Sequence, residues 1–184
     1  MQCIYKCFTQ HKLNVEIYIP EWTQARNIAG IIRTATIMGY KVYIGPSTEY
    51  TRLIAKHRDT IKHCVMGADD YHVVVDMKHF LQARWQIIIM ESEDFWKSRN
   101  EFAYSIYNVP VKQSECTLVF GDEGKGIPSC LWENLNHYIP CFIPQSSSAR
   151  NTRANVFRNN VSFNLNSAAT LSMGILTSLH GNCL

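Results

Sequence analysis

The chain has 184 residues, the length of a single domain, and 46% of them are hydrophobic, which excludes disorder along the whole chain. Its 18 lysines and arginines stand against 15 aspartates and glutamates, so the net charge of +3 is too small for a protein that coats nucleic acid nonspecifically. Any contact with nucleic acid is therefore expected to be local. We predict one domain over residues 1–184.

The cysteines and the apolar runs indicate the compartment. The seven cysteines are odd in number and scattered, as in proteins of a reducing environment. No apolar run approaches the ~20 residues that span a bilayer, and residues 1–8 have neither an apolar signal core nor an arginine-rich leader. We therefore expect a cytoplasmic protein, or a nuclear one, without a membrane partner.

The sequence contains two groups of potential metal ligands. Neither has a Cys-x-x-Cys pair or a matching second half, so we predict no metal site. The two groups are Cys3, Cys7 and His11, and His57, His63, Cys64 and His72.

The first half of the chain alternates strands and helices. Its later strands are continuous apolar runs, which are typical of a sheet with helices on both faces. This order predicts an α/β fold with a mostly parallel sheet. The predicted strands are residues 15–19, 41–44, 72–75 and 86–90, and the predicted helices are residues 25–38, 48–57 and 77–84.

The second half is less regular. Residues 91–113 are mixed and polar, and we interpret them as an irregular connection with room for a short helix. Residues 145–161 have no period and are predicted to be a long loop insertion. The other predicted elements are a strand at 116–120, a short helix opened by Pro128, a strand at 138–143 and a terminal helix at 162–179.

Three segments carry residues capable of chemistry, each after a predicted strand or at the start of a helix, where open α/β sheets gather ligands. In the first, Asn27 and Arg33 are six residues apart, so they could converge only if Asn27 lies at the start of its helix. Arg33 interrupts an apolar stripe. A snorkelling arginine with Asn27 as the helix cap is the plainer interpretation of this segment alone.

The second segment follows the buried strand that ends at Phe120. Gly121, Gly124 and Gly126 there permit positive φ and close approach of the backbone to a ligand. Their spacing matches neither a Walker loop nor a dinucleotide-binding loop, and a plain tight turn is the alternative.

The third segment places Ser162 and Asn164 at the head of a helix rich in small residues. Free N–H groups at such a helix start can hold a carboxylate or phosphate. A simple capping role for Ser162 is equally consistent with the sequence.

Taken together, the segments resemble the three motifs of the SpoU (TrmH-like) branch of the SPOUT methyltransferases. Residues 27–35 resemble the family's Asn…Arg-Thr-Ala motif, and residues 121–126 resemble its Gly-x-Glu-x-x-Gly loop. Ile143-Pro144 with residues 162–168 resembles its Ile-Pro…Ser-x-Asn-x-x-x-Ala motif. The likeness extends from about residue 14 to residue 179.

The resemblance implies a C-terminal trefoil knot and a homodimer. It also implies that S-adenosyl-L-methionine donates a methyl group to a ribose 2′-hydroxyl of tRNA or rRNA, leaving S-adenosyl-L-homocysteine, and of the two RNAs we expect tRNA. The terminal helix offers small and apolar residues for the dimer contact, among them Ala168, Ala169, Met173 and Ile175.

Site residues also follow from the resemblance. The catalytic residues would be Asn27, Arg33, Glu123, Ser162 and Asn164. The cofactor would be held by Phe120, Gly121, Gly124, Gly126, Ile143, Pro144, Ser162 and Asn164. RNA would be bound by Arg33 and by the loop residues Arg150, Arg153 and Arg158.

Two other functions stay open. The first is a noncatalytic, knotted RNA-binding or ribosome-assembly factor, although such a protein has no chemical reason to keep all five catalytic candidates. The second is an enzyme that binds a small nucleotide through the glycine loop, but it would require phosphate-gripping residues that the sequence lacks.

Overall fold

A computed structural model describes residues 13–49, 53, 71–112, 115–145 and 163–179 of the chain. The strands are β1 (Asn14–Ile19), β2 (Lys41–Ile44), β3 (His72–Val73), β4 (Ile87–Met90), β5 (Tyr104–Ser105), β6 (Glu115–Phe120) and β7 (Ile139–Phe142). The helices are α1 (Ala25–Ile37), α2 (Met77–Gln82), α3 (Glu93–Ser98), α4 (Ser129–Glu133) and α5 (Leu165–Leu179), with a 3₁₀ turn at Ile106–Asn108.

The seven strands form one sheet in the order β3-β2-β1-β6-β4-β7-β5, and every pair of neighbours is parallel. β6 is inserted between β1 and β4, although both of these precede it in the chain. The loops that follow β4, β6 and β7 therefore leave the sheet side by side at its carboxyl edge, where α/β proteins bind ligands.

Helices cover both faces of the sheet. On one face, α1 and α5 pack over Val42, Ile17, Leu118 and Ile88, which lie side by side in register and are fully buried. On the other face, α2, α3 and α4 contribute buried side chains to a second apolar cluster. The predicted α/β architecture is confirmed. The trefoil knot remains a prediction, because residues 146–162 lie outside the described ranges.

Several element boundaries differ from the predicted ones. Residues 91–113 are more regular than expected, since they hold α3, β5 and the 3₁₀ turn. The predicted helix at 48–57 lies mostly outside the described residues. Pro128 precedes α4 at its cap position and is not its first residue. In the described ranges, no helix has the length and apolar character needed to cross a membrane.

Candidate active site

A cleft opens where β4, β6 and β7 end. Its empty volume is about 890 Å³, including the part open to solvent. The head of α5 forms one of its walls. The lining residues are Met90, Glu91, Ser92, Glu93, Asp94, Phe120, Gly121, Asp122, Glu123, Gly126, Ile143, Gln145, Phe163, Leu165 and Ala168.

Asp122 fixes the shape of the loop after β6. Its carboxylate accepts hydrogen bonds from the backbone N–H and the hydroxyl of Thr23, at 2.9 and 2.7 Å. It also accepts hydrogen bonds from the backbone N–H groups of Gly124 and Lys125, at 2.9 and 3.3 Å. Burial alone would raise the pKa of Asp122, but these hydrogen bonds outweigh it and lower the pKa. An ionised Asp122 therefore ties this loop to the segment before α1.

The three glycines of this loop have different roles. Gly126 has a φ of +68°, and a Cβ at Gly121 would lie 2.3 Å from the carbonyl carbon of Gly126, so both positions favour glycine. A Cβ at Gly124 would meet only the Asp122 carboxylate, at 3.5 Å. Gly124 does not line the cleft, so the cofactor-contact role expected for it has no support in the cleft geometry.

Glu123 joins the three segments. Its Oε1 accepts hydrogen bonds from Asn27 Nδ2 and from the backbone N–H of Leu165, the latter at 3.1 Å. Asn164 caps α5, because its Oδ1 accepts a hydrogen bond from Ser167 N at 2.9 Å. A carboxylate at the start of α5 also stabilises the positive end of the helix dipole. The junction of Asn27, Glu123 and Leu165 thus closes one side of the cleft.

The first segment does not converge. Asn27 is buried in the first turn of α1, which is where it would have to lie to meet Arg33. Its side chain donates to Glu123 instead. It does not cap the helix, because the cap position is Gln24. Arg33 is exposed about 9 Å further along α1, and it forms no hydrogen bond or ion pair with another described residue. Asn27 and Arg33 are both absent from the lining of the cleft.

The remaining predicted residues divide into three groups. Phe120, Gly121, Gly126 and Ile143 line the cleft, as predicted for cofactor contacts. Pro144 and Asn164 lie next to lining residues but are not themselves part of the lining. The residues outside the described ranges are Ser162, Arg150, Arg153 and Arg158.

The acidic wall after β4 was not predicted from the sequence. Glu91 is partly buried, and its Oε1 accepts a hydrogen bond from Ile127 N at 3.2 Å. Burial raises the pKa of Glu91, although backbone hydrogen bonds from Ser92 and Ile127 reduce the shift. Glu91 directly follows a continuous apolar strand, and residues 121–126 have the same position relative to theirs.

The cleft is acidic. Five carboxylates line it, and the described lining residues include no lysine, arginine or histidine. Apolar contact surface comes from Phe120, Ile143 and Phe163. The arrangement suits a ligand with an apolar or aromatic part and a positive charge. Among the described residues, no group of three or more His, Cys, Asp or Glu side chains is placed to hold a metal ion.

Glu91→Gln should change how stability depends on pH. The pKa of Glu91 is raised in the folded state, so the residue contributes to stability at low pH, where it is protonated. This contribution is lost as the pH rises above 4.5, the ordinary pKa of the group, and through its pKa in the folded protein. Glutamine removes this loss and retains an oxygen acceptor for Ile127 N. We expect the free energy of unfolding of the variant, relative to the wild type, to increase from acid to neutral pH in urea titrations. The control is Asp94→Asn, which removes an exposed carboxylate of the same cleft. If the free energies of unfolding of Glu91→Gln and the wild type differ by the same amount at every pH, the prediction is wrong.

No family model matches the sequence, and no curated protein resembles it closely enough in sequence to match. Solved structures do match. The AdoMet-bound rRNA methyltransferase of Sinorhizobium meliloti has a TM-score of 0.65 and 16% identity, over 91% of this chain and 57% of that protein. The SpoU methyltransferase AviRb of Streptomyces viridochromogenes, in complex with AdoMet, has a TM-score of 0.61 and 12% identity, over 94% of this chain and 62% of AviRb.

A third structure has a length closer to that of this chain. It is a Bacillus anthracis protein assigned to the RNA methyltransferases, with a TM-score of 0.62 and 15% identity, over 91% of this chain and 95% of that protein. The chain thus spans less than two thirds of the S. meliloti and S. viridochromogenes proteins and nearly all of the B. anthracis protein. Its parallel seven-stranded sheet, with the cleft at the carboxyl edge, has the fold of the SpoU RNA methyltransferases.

Proposed function

We propose that the protein is an S-adenosylmethionine-dependent RNA 2′-O-ribose methyltransferase that acts on tRNA, with rRNA as the second candidate substrate. The observation that carries the proposal is the junction at Glu123, which joins Asn27 to the start of α5 beside an acidic cleft. This junction links the three segments that resemble the family motifs, and the solved structures that share the fold include methyltransferases with bound AdoMet.

The lining of the cleft fits this cofactor. Phe120, Ile143 and Phe163 offer apolar surface for an adenine ring, and the acidic lining favours a ligand with positive charge. Gly121 and Gly126 keep this part of the cleft free of side chains. When bound, S-adenosylmethionine supplies a methyl group on a sulfonium, which is already a reactive donor.

The chain itself must orient the ribose and stabilise charge on its oxygen. An arginine side chain stays charged in proteins, so Arg33 would grip an RNA phosphate and stabilise the negative charge that develops on the ribose oxygen. Asn27, Glu123 and Asn164 would hold the cleft in shape. Arg150, Arg153 and Arg158 would add contacts to the RNA backbone.

Arg33 would act in the site of a partner subunit. It lies outside the cleft of its own chain and is exposed, so a homodimer that brings α1 to the partner's cleft would complete each site. Ala169 and Met173 are fully buried within the single chain, so they do not supply the dimer contact expected from the sequence. Exposed apolar side chains on α1 and α5 offer it instead: Ile37 is 63% exposed, Leu171 41% and Leu179 49%.

Light scattering tests the dimer. A homodimer of this 21.2 kDa chain should have a mass of about 42 kDa at micromolar concentration. Ile37→Glu, which places a charge in the proposed contact, should shift the mass towards that of the monomer, whereas Val75→Glu, at a residue 85% exposed next to β3, should not. A wild-type chain that is monomeric would contradict the assignment of Arg33 to a partner's site.

Two measurements test the proposed activity. Calorimetry should detect binding of S-adenosylmethionine, and mass spectrometry should find a 2′-O-methylated nucleoside that is missing from the RNA of cells lacking the protein. Purified protein should restore that modification to this RNA. If millimolar cofactor gives no heat signal, with or without RNA, the noncatalytic assembly-factor alternative replaces the proposal.

A further inference from the structure

We propose that Glu91 makes the cleft favour the cationic cofactor S-adenosylmethionine over its neutral product S-adenosylhomocysteine. The inference rests on the proposed function and goes beyond it, because it assigns selectivity between the two forms of the cofactor to one residue outside the three motif segments.

The other carboxylates of the cleft are already engaged or solvated. Asp122 accepts four hydrogen bonds within its loop and from Thr23. Glu123 accepts two at the junction. Glu93 pairs with Lys97 at 2.8 Å, and Asp94 is exposed to solvent, which weakens its electrostatic contribution.

Glu91 differs from these four. It is partly buried between the loops that follow β4 and β6, and a Cβ at Gly126 would lie 3.4 Å from its Oε1. Its hydrogen bonds come from the backbone N–H groups of Ile127 and Ser92, and no lysine, arginine or histidine among the described residues pairs with it. A positive ligand in the cleft would supply a cationic partner, and reduced contact with solvent strengthens the attraction.

The two forms of the cofactor differ by this charge. S-adenosylmethionine carries a sulfonium as well as its ammonium and carboxylate, whereas S-adenosylhomocysteine has a neutral thioether in place of the sulfonium. The attraction to Glu91 therefore weakens after methyl transfer. The cleft would bind the donor selectively and release the product more readily.

Calorimetry with three probes tests the proposal. The probes are S-adenosylmethionine, S-adenosylhomocysteine and sinefungin, which carries an ammonium where the cofactor has its sulfonium. In Glu91→Gln, the preference for S-adenosylmethionine over S-adenosylhomocysteine should fall by about tenfold, and sinefungin should weaken in parallel with S-adenosylmethionine. Glu133→Gln, which removes an exposed carboxylate outside the cleft, should change the preference by less than about twofold. Glu91→Asp, which keeps the charge, should retain most of the preference. This variant tests the role of the charge even if the glutamine variant fails to fold.

The outcomes separate the two proposals. If the three probes bind the wild type and Glu91→Gln weakens them all equally or leaves them unchanged, the role of Glu91 is overturned and the proposed function stands. If none of the probes binds the wild type, the proposed function is overturned as well.

Discussion

Replacing Arg33 with alanine is expected to lower the single-turnover rate of methyl transfer to RNA by about 10²-fold or more, with cofactor affinity nearly unchanged. The side chain is exposed on α1, outside the cleft of its own chain, so its loss removes no packing and no lining group. What is lost is a positive charge that the proposed mechanism places against the phosphate and the developing oxyanion. The effect should therefore appear in RNA binding and in the chemical step, while cofactor binding stays nearly unchanged.

The matched control is Arg26→Ala. Arg26 is also exposed on α1, about two turns from Arg33, and it belongs to no motif segment. Rates of labelled-methyl transfer to RNA from cells that lack the protein, together with calorimetric cofactor binding, distinguish the variants. A wild-type single-turnover rate in Arg33→Ala would remove Arg33 from the mechanism. An equal loss of rate in Arg26→Ala would show that Arg33 contributes only a positive charge on this surface of α1.

Substitutions at Asp122 should produce a graded loss of stability. Asp122→Ala leaves the N–H groups of Thr23, Gly124 and Lys125 without their acceptor. Hydrogen bonds to charged groups are worth roughly 1.5–3 kcal/mol each and do not add fully, so the variant is expected to lose about 3 kcal/mol or more of its free energy of unfolding. Asp122→Asn keeps one oxygen for Gly124 and Lys125 but presents its NH₂ group to the Thr23 N–H. It should cost about 1 kcal/mol.

Urea unfolding at several pH values measures this series. Because the pKa of Asp122 is lowered in the folded state, its contribution is present at neutral pH and is lost as the pH falls through the folded value. The gap between wild type and Asp122→Ala should therefore narrow in acid. Lys125→Ala, an exposed side chain in the same loop, is the control. An Asp122→Ala variant as stable as the wild type would show that the loop does not depend on these hydrogen bonds.

Local patterns in the sequence predicted the sheet and the segments at its carboxyl edge. Buried parallel strands such as β4 and β6 are recognisable because they are continuous apolar runs that end in polar or glycine-rich turns. β5 was not predicted, because a strand of two residues has no measurable period. The helix boundary at Leu165 depends on the cap made by Asn164, which the sequence alone could not distinguish from a cap at Ser162.

The residues around the cleft were harder to predict. Which loops share a cleft depends on the strand order β6-β4-β7, and nothing in the local sequence indicates that the strand ending at Met90 lies next to the one ending at Phe120. Glu91 was missed for this reason. Asn27 and Arg33 belong to one motif, but the geometry of α1 places Asn27 against Glu123 and Arg33 in solvent.

The insertion of β6 between β1 and β4 has a consequence for how the chain reaches this structure. Asn14 of β1 pairs with Glu115 of β6, 101 residues later in the chain. During synthesis, one edge of β1 cannot be covered until β6 has emerged. Closing so long a loop lowers the chain entropy before the contacts between β1 and β6 can stabilise the structure. Folding should therefore be slow, and the β1 edge would stay available for pairing with other chains until β6 arrives.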